Sequence, residues 1–348
     1  MIKLIQSNKK KFFIMLLLIY FIMIITSIAL GTANISFKQA FFALIKPLSF
    51  VSDGVKAQVS SAHSLIIYRI RLPRIIMASI VGMGLAVVGV AFQGVFKNPM
   101  ADPYVLGISS GAALGAAIAI VFKIGESIFS FSMVTTFAFI GAMVTAFFVY
   151  NIARVGNRIP TVNLLLAGIA VSFLLSSCLS IIMVFNHNKI DKIVFWTLGD
   201  FNSANWTQIA VVAPFVFIGV LVIYFFSRDL NLMLTGDEAA KTMGVEVEKV
   251  KKIIVTISSL VVAACVSFSG IIGFVGLLIP HMMRMILGPN HKQLIPFSAL
   301  GGAMFLLFSD TLARSILPSA ELPVGAVTAL FGSPYFIILF LKYKKRVM

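Results

Sequence analysis

The strongest constraint on this chain is its series of apolar runs. A helix needs about 20 predominantly apolar residues to cross a bilayer. The sequence offers ten such segments, near 12–30, 74–96, 108–122, 132–153, 163–185, 207–227, 253–270, 274–288, 295–313 and 324–342. Only 11% of the 348 residues are charged and 59% are apolar, with mean hydropathy +1.03. Soluble domains carry roughly 25% charged residues, so these runs need lipid as their solvent. The expectation is an all-α membrane protein of about ten transmembrane helices forming one transmembrane domain over 1–348. Two runs, near 108–122 and 274–288, are short, rich in Gly and close to a Pro, as in broken or tilted helices. Lys9, Lys10 and Lys11 followed by 12–30 imitate a signal peptide. That apolar run is too long, and lacks a small-x-small cleavage site, so it reads as a retained first span.

The net charge of +16 would suggest nucleic acid in a soluble chain. Here the basic residues lie mostly between apolar runs, as membrane topology requires. With the N-terminus in the cytosol, ten spans return the C-terminus there, and 18 of the 28 Lys and Arg fall in cytosolic segments. The positive-inside rule therefore favours both termini inside. Cys178 and Cys265 lie in apolar runs and frame no disulfide or metal site. The four histidines lack metal-ligand spacing, and the 16 methionines are scattered as packing residues. His281 and Arg284, near a cytosolic helix end, read as snorkelling side chains.

One segment goes against this bias. Arg69, Arg71 and Arg74 in YRIRLPR fall on the predicted outer face, just where Pro73 suits the start of the second span. Cations at a helix N-terminus oppose its macrodipole. Two readings stand side by side: a docking site for acidic groups on an outside partner, and snorkelling toward lipid phosphates.

The stretch RLPRIIMASIVGMGLAVVGVAFQGVFKNPMADPYVLGISSGA (71–112) resembles the signature of the FecCD-type permeases, the membrane subunits of siderophore, haem and vitamin B12 ATP-binding-cassette importers. LLLAG (164–168), GDEAAKTMGV (236–245), SGIIGFVGLLIPHMMR (269–284), SDTLAR and ELPVGAVTALFGSPYF (309–336) continue the pattern in order. The resemblance implies a type II importer permease of ten helices in the bacterial plasma or inner membrane. Its implied partners are a second copy or paralogue, two ATPase subunits on the cytosolic face and an external substrate-binding protein. The translocation path would lie at the interface between the two permease subunits. The resemblance also assigns Arg71, Arg74 and Arg314 to binding-protein docking; Asp310, four residues before Arg314, is placed to pair with it. Arg69 has no firm counterpart.

In the loop before the seventh run, Thr235 and Glu238 read as a capping box, with Gly244 as the stop. Between them lies a short helix carrying Ala239, Ala240 and Met243. In the family this segment, Gly236, Asp237, Glu238, Ala239, Ala240, Met243 and Gly244, is the coupling helix that touches the ATPase; alone it also reads as an interfacial surface helix. No GxxxxGK[ST] motif occurs, so ATP belongs to partner subunits, this chain binds no cofactor, and it is not an enzyme. Gly168, Ser172, Ser176 and Ser180 recur every four residues on one drifting helical face. They suit either a weakly polar path lining or small-residue packing with hydroxyls bonded back to the helix. Gly325, Ala329 and Gly332 raise the same choice. Thr161 and Asn163, beside Arg154, Arg158 and Pro160, belong to the loop that narrows the cytosolic end of the path in the family.

A secondary transporter would need ionisable residues at mid-membrane, yet only Asp102 and Asp310 come near, close to predicted ends. A membrane enzyme would need clustered nucleophiles, paired carboxylates or metal ligands, and none is visible. The expected substrate is an iron–siderophore complex, with haem and then cobalamin as alternatives.

Overall fold

A computed structural model describes residues 8–31, 35–45, 60–123, 132–156, 158–317 and 320–347. Lys3 and the stretch 46–59 of the predicted outer segment lie outside the described residues. The helices are α1 (Lys9–Ala29), α2 (Phe37–Ile45), α3 (Ser61–Ile66), α4 (Leu72–Val95), α5 (Ile108–Phe122), α6 (Met133–Ala153), α7 (Thr161–Phe185), α8 (Ile190–Leu198), α9 (Trp206–Phe225), α10 (Ser227–Met233), α11 (Asp237–Thr242), α12 (Val247–Ser269), α13 (Val275–Leu287), α14 (His291–Ala313) and α15 (Val324–Val347). Each of the ten predicted runs coincides with one of them. Among the described residues, seven helices are long and apolar enough to cross a membrane; 108–122, 275–287 and 324–338 are shorter apolar helices.

The second run departs from its expected start. Helix begins at Ser61, capped by the Ser60 side chain accepting from the His63 amide at 3.1 Å, and continues through a π-turn, Ile67–Arg71, into α4. Pro73 falls in the first turn of α4 but does not open the helix. Proline has no N–H to donate back along the chain and its ring crowds the carbonyl of the preceding turn, and the wider π-turn Ile67–Arg71 lies just before it.

α4 forms the centre of the protein, packed against α14, α9, α13 and α12. Two glycines allow the closest crossings. A Cβ on Gly82 would stand 2.2 Å from the Gly302 carbonyl oxygen of α14, and one on Gly89 would stand 1.8 Å from the Gly276 carbonyl oxygen of α13. Dispersion and close backbone approach hold such helices together where lipid removes the hydrophobic driving force.

Two unwound segments meet beside α4. One is 98–107, the other 270–274 between α12 and α13. Backbone outside a helix must find partners when water is absent. Here the Tyr104 hydroxyl donates to the Ile272 carbonyl at 3.1 Å and accepts from the Ile272 amide at 3.3 Å. Asp102 closes its own turn by accepting from the Tyr104 amide at 2.8 Å. The short α13 is therefore a helix that starts part-way along the bundle.

Candidate functional site

The contacts divide the bundle into two polar ends. One gathers the end of α1, the π-turn, the loop after α8 and the segment after α14. The other gathers the end of α4, the loop after α6, α10, α11 and the start of α12.

At the first end the structure brings Arg71, Arg74 and Arg314 together, but buries them, with exposures of 4%, 7% and 6%. Docking by direct contact with acidic groups of an outside partner would need these guanidiniums exposed, and that part of the expectation is corrected. So is the expectation that they burden a helix N-terminus, because the helix starts ten residues earlier and the guanidiniums serve another helix. The last carbonyls of a helix lack intrahelical donors and carry partial negative charge. Arg71 Nη1 donates to the Ile28 and Ala29 carbonyls of α1. Arg314 Nη2 donates to the Ser27 carbonyl at 2.5 Å and hydroxyl at 2.6 Å, and Arg314 Nη1 to the Leu30 carbonyl at 3.3 Å. Two arginines thus cap the C-terminus of α1, where cations are favourable.

Arg74 does different work. Its Nε donates to Asp310 Oδ1 at 2.8 Å, and its Nη1 to Glu321 Oε2 at 2.8 Å and Asn202 Oδ1 at 2.6 Å. Asp310, fully buried, also lies 3.7 Å from Arg314 Nε, so the expected Asp310–Arg314 pair forms, although Arg74 holds the carboxylate more closely. Arg69 is exposed. Asn202 lies outside the quoted motifs and Glu321 opens ELPVGAVTALFGSPYF, and only the fold shows that they share Arg74.

At the other end, α11 occupies the predicted coupling segment. Its capping box is absent: Gly236 is the N-cap at φ +123, no side chain caps the helix, and the Thr235 hydroxyl donates to the Leu232 carbonyl at 2.8 Å. The positive φ explains this, since it turns Thr235 away from the first amides. Gly244 follows the helix at φ +85, as a stop requires. Ala240 is fully buried against this chain, whereas Met243 is 45% exposed and Glu238 is exposed. The face open to another protein therefore includes Met243 and Glu238 and excludes Ala240.

Asp237 fixes α11 to the bundle. Its carboxylate takes Lys97 Nζ at 2.6 Å and Lys251 Nζ at 2.5 Å. Lys97 stands at the end of α4 with φ 51, a left-handed conformation that is uncommon outside glycine. Burial would raise the Asp237 pKa, but the hydrogen bonds from Lys251 and Lys97 outweigh it and hold the carboxyl below its ordinary value. Glu238 is likewise lowered by the hydrogen bond from Lys241. The motif 236–245 pointed to Asp237, but its lysines lie 140 and 14 residues away and were not predicted.

The small-residue face of α7 divides along its length. Gly168 is buried, and a Cβ there would stand 2.0 Å from the Val105 carbonyl oxygen. Ser172 is half-buried with its hydroxyl bonded to the Gly168 carbonyl at 2.7 Å; Ser176 and Ser180 are exposed, and Ser180 donates to the Ser176 carbonyl at 3.0 Å. The first two residues pack, as the small-residue reading requires, while the last two face outward. Asn163 is exposed and Thr161, half-buried, opens α7. His281 is buried rather than snorkelled to the interface.

The FecCD transport family profile matches residues 17–342. The cobalamin import system permease BtuC of Halobacterium salinarum is 42% identical over 81% of this chain and 74% of its own. The Fe(3+)-citrate import system permease YfmD of Bacillus subtilis is 37% identical over 91% and 92%. A metal-chelate type ABC transporter solved in an inward-facing conformation superposes with TM-score 0.82 at 31% identity, over 96% of this chain and 99% of that one.

Proposed function

The chain belongs to the FecCD transport family, as a multi-pass permease of an ATP-binding-cassette importer, and from that premise we propose that its cargo is an iron–siderophore complex. The observation that carries this reading is the likeness over more than nine-tenths of both chains to an Fe(3+)-citrate permease. Haem is the second reading, since a hemin permease is matched over as much of both chains, and cobalamin the third, supported at higher identity but over less of that permease's own length. Few ionisable groups line the helices, so a bulky chelate would slide past weakly polar surface rather than be gripped.

Our proposed arrangement places both termini in the cytosol and ten spans in the membrane. A second copy or paralogue would cover α7, whose Ser176 and Ser180 then face the path. Two ATPase subunits dock on α11 and consume the ATP. The external binding protein docks at the opposite end, on the rim that Arg71, Arg74 and Arg314 hold. Because those three side chains are internal, their part is to fix the rim, and exposed groups such as Arg69 and Glu321 meet the partner.

Proteoliposomes holding the permease with its cognate ATPase and binding protein decide the cargo. Uptake of radiolabelled ferric siderophore, uncompeted by excess cobalamin, is expected. Cobalamin uptake that ferric siderophores fail to inhibit would reverse the assignment. Cysteines at 69 and 321 should cross-link to the binding protein, and one at 243 to the ATPase.

A further inference from the structure

Two cavities join at the end of the bundle that carries α11. The outer one, about 560 Å³, opens between the loop after α6 and the start of α12. Its lining holds five cations, Arg154, Arg158, Lys241, Lys249 and Lys252, and two carboxylates; Lys241 is paired outside it with Glu238 at 2.6 Å, and Arg154 Nε donates to the Gly156 carbonyl at 2.7 Å. Both carboxylates are engaged. Glu246 lies 3.4 Å from Lys249 Nζ, while Glu248 accepts the Ile159 amide at 2.8 Å and stands 3.8 Å from Lys251 Nζ. The second cavity, about 320 Å³, continues between α6 and α12 and shares Tyr150, Arg154 and Lys252 with the first. Its walls are mainly apolar, with Met143, Ala146, Phe147 and Val255 beside Thr256 and Ser259.

A cationic mouth therefore leads into an apolar slot. The slot's lining runs along α6 from Met143 to Asn151 and on to Arg154 just past the helix end, and the helical part alone is about 12 Å at 1.5 Å per residue. Phe147 is 71% exposed and Thr256 is exposed, so the slot opens sideways along helices long enough to cross the membrane. A soluble partner cannot enter at that depth. Among the described residues Lys252 has no carboxylate partner, although it stands where mouth and slot meet. Basic pockets between membrane helices suit anionic headgroups, and the slot fits an acyl chain.

We propose that this groove binds one anionic phospholipid, its phosphodiester at Arg154 and Lys252 and one chain along Phe147 and Val255. The lipid would fill the space between the loop after α6 and the α11–α12 corner. This assignment is independent of the cargo.

The full-length chain, purified in mild detergent and followed by native mass spectrometry, tests it. Titration with phosphatidylglycerol should show tight retention of one lipid, and phosphatidylcholine should be retained at least about five-fold more weakly, the preference expected of one basic contact. Lys252→Glu should abolish the preference, and Thr256→Trp, which obstructs the slot without touching charge, should lower retention of both lipids. Lys192→Glu, at the opposite end, should change neither; size-exclusion profiles identify any variant that misfolds, and Lys252→Gln then takes the place of Lys252→Glu. Equal retention of the two lipids, or a preference that survives at position 252, would overturn the proposal. So would displacement by equimolar soluble glycerol phosphate, which marks a headgroup-only anion site, or release on adding the cognate ATPase, which marks the mouth as a protein contact.

Discussion

The two polar ends use similar groups in different surroundings. At the end near α1, Asp310 sits between Arg74 and Arg314 with side-chain exposures of 0%, 8% and 6%. At the end near α11, Asp237 sits between Lys97 and Lys251 with exposures of 31%, 36% and 5%. Desolvated charges are costly to separate, since each leaves an uncompensated partner behind. Asp237 and Lys97, each about one-third exposed, can exchange one another for water at little cost, and only Lys251 is buried. The first end is therefore a fixed knot tying α1, α4 and α14 together, and the second is a looser attachment of α11.

The largest effect is expected from Asp310→Ala, which strips the carboxylate from two buried guanidiniums. A loss of about 3–5 kcal/mol is expected for breaking such a pair, read as collapse of the monodisperse peak in detergent and a sharply lower Tm. A variant as stable as the parent would erase the contrast between the ends. Arg74→Lys keeps the charge but cannot reach Asp310, Asn202 and Glu321 together, because an ammonium lacks the planar fork. It should cost about 1–3 kcal/mol of thermal stability. For the same reason, charge reversal at Arg71 or Arg74 should damage folding before it reports on docking.

Asp237→Asn comes next. It leaves Lys251 buried beside only the more distant Glu248, so a smaller loss of about 1–2 kcal/mol is expected. Its sharper signature is functional: ATP hydrolysis by the assembled transporter should continue while uptake falls. Normal uptake would remove the α11 attachment from the coupling route. Lys97→Gln, at a more exposed contact, should cost less than about 1 kcal/mol.

The smallest effect is in pH. Asp237 is held below its ordinary pKa, so its pairing stabilises the fold above the unfolded carboxylate pKa of about 3.9. That contribution is lost only as pH falls through the lower folded value. The Tm difference between the parent and Asp237→Asn should stay constant from neutral pH to about 5 and close below about 4. A difference that closes near pH 6 would mean the lysines do not hold the carboxylate.

Much of this was legible beforehand for local reasons. Apolar runs fixed the positions of ten helices, and Gly244 marked the end of α11. The Asp310–Arg314 pair followed from helical spacing. Other readings failed because their partners are remote in sequence. Nothing near Arg71 indicates that the carbonyls of Ile28 and Ala29 will meet it, so its charge suggested exposure. Ala240 looked like part of an open face because it is small, yet the α11 turn directs it inward. The four-residue repeat on α7 was visible, but its division into a packed half and an outward half depends on where 98–107 crosses it.

The sequence alone determined that this chain lives in a membrane as a helical bundle of the FecCD kind, because hydropathy and motif order are properties of the chain itself. Only the tertiary structure decided which charges are internal. Burial and pairing depend on groups that lie up to 287 residues apart, as Arg314 and Ser27 do, and a side chain's cost or use in a dry interior is set by the partner it finds there.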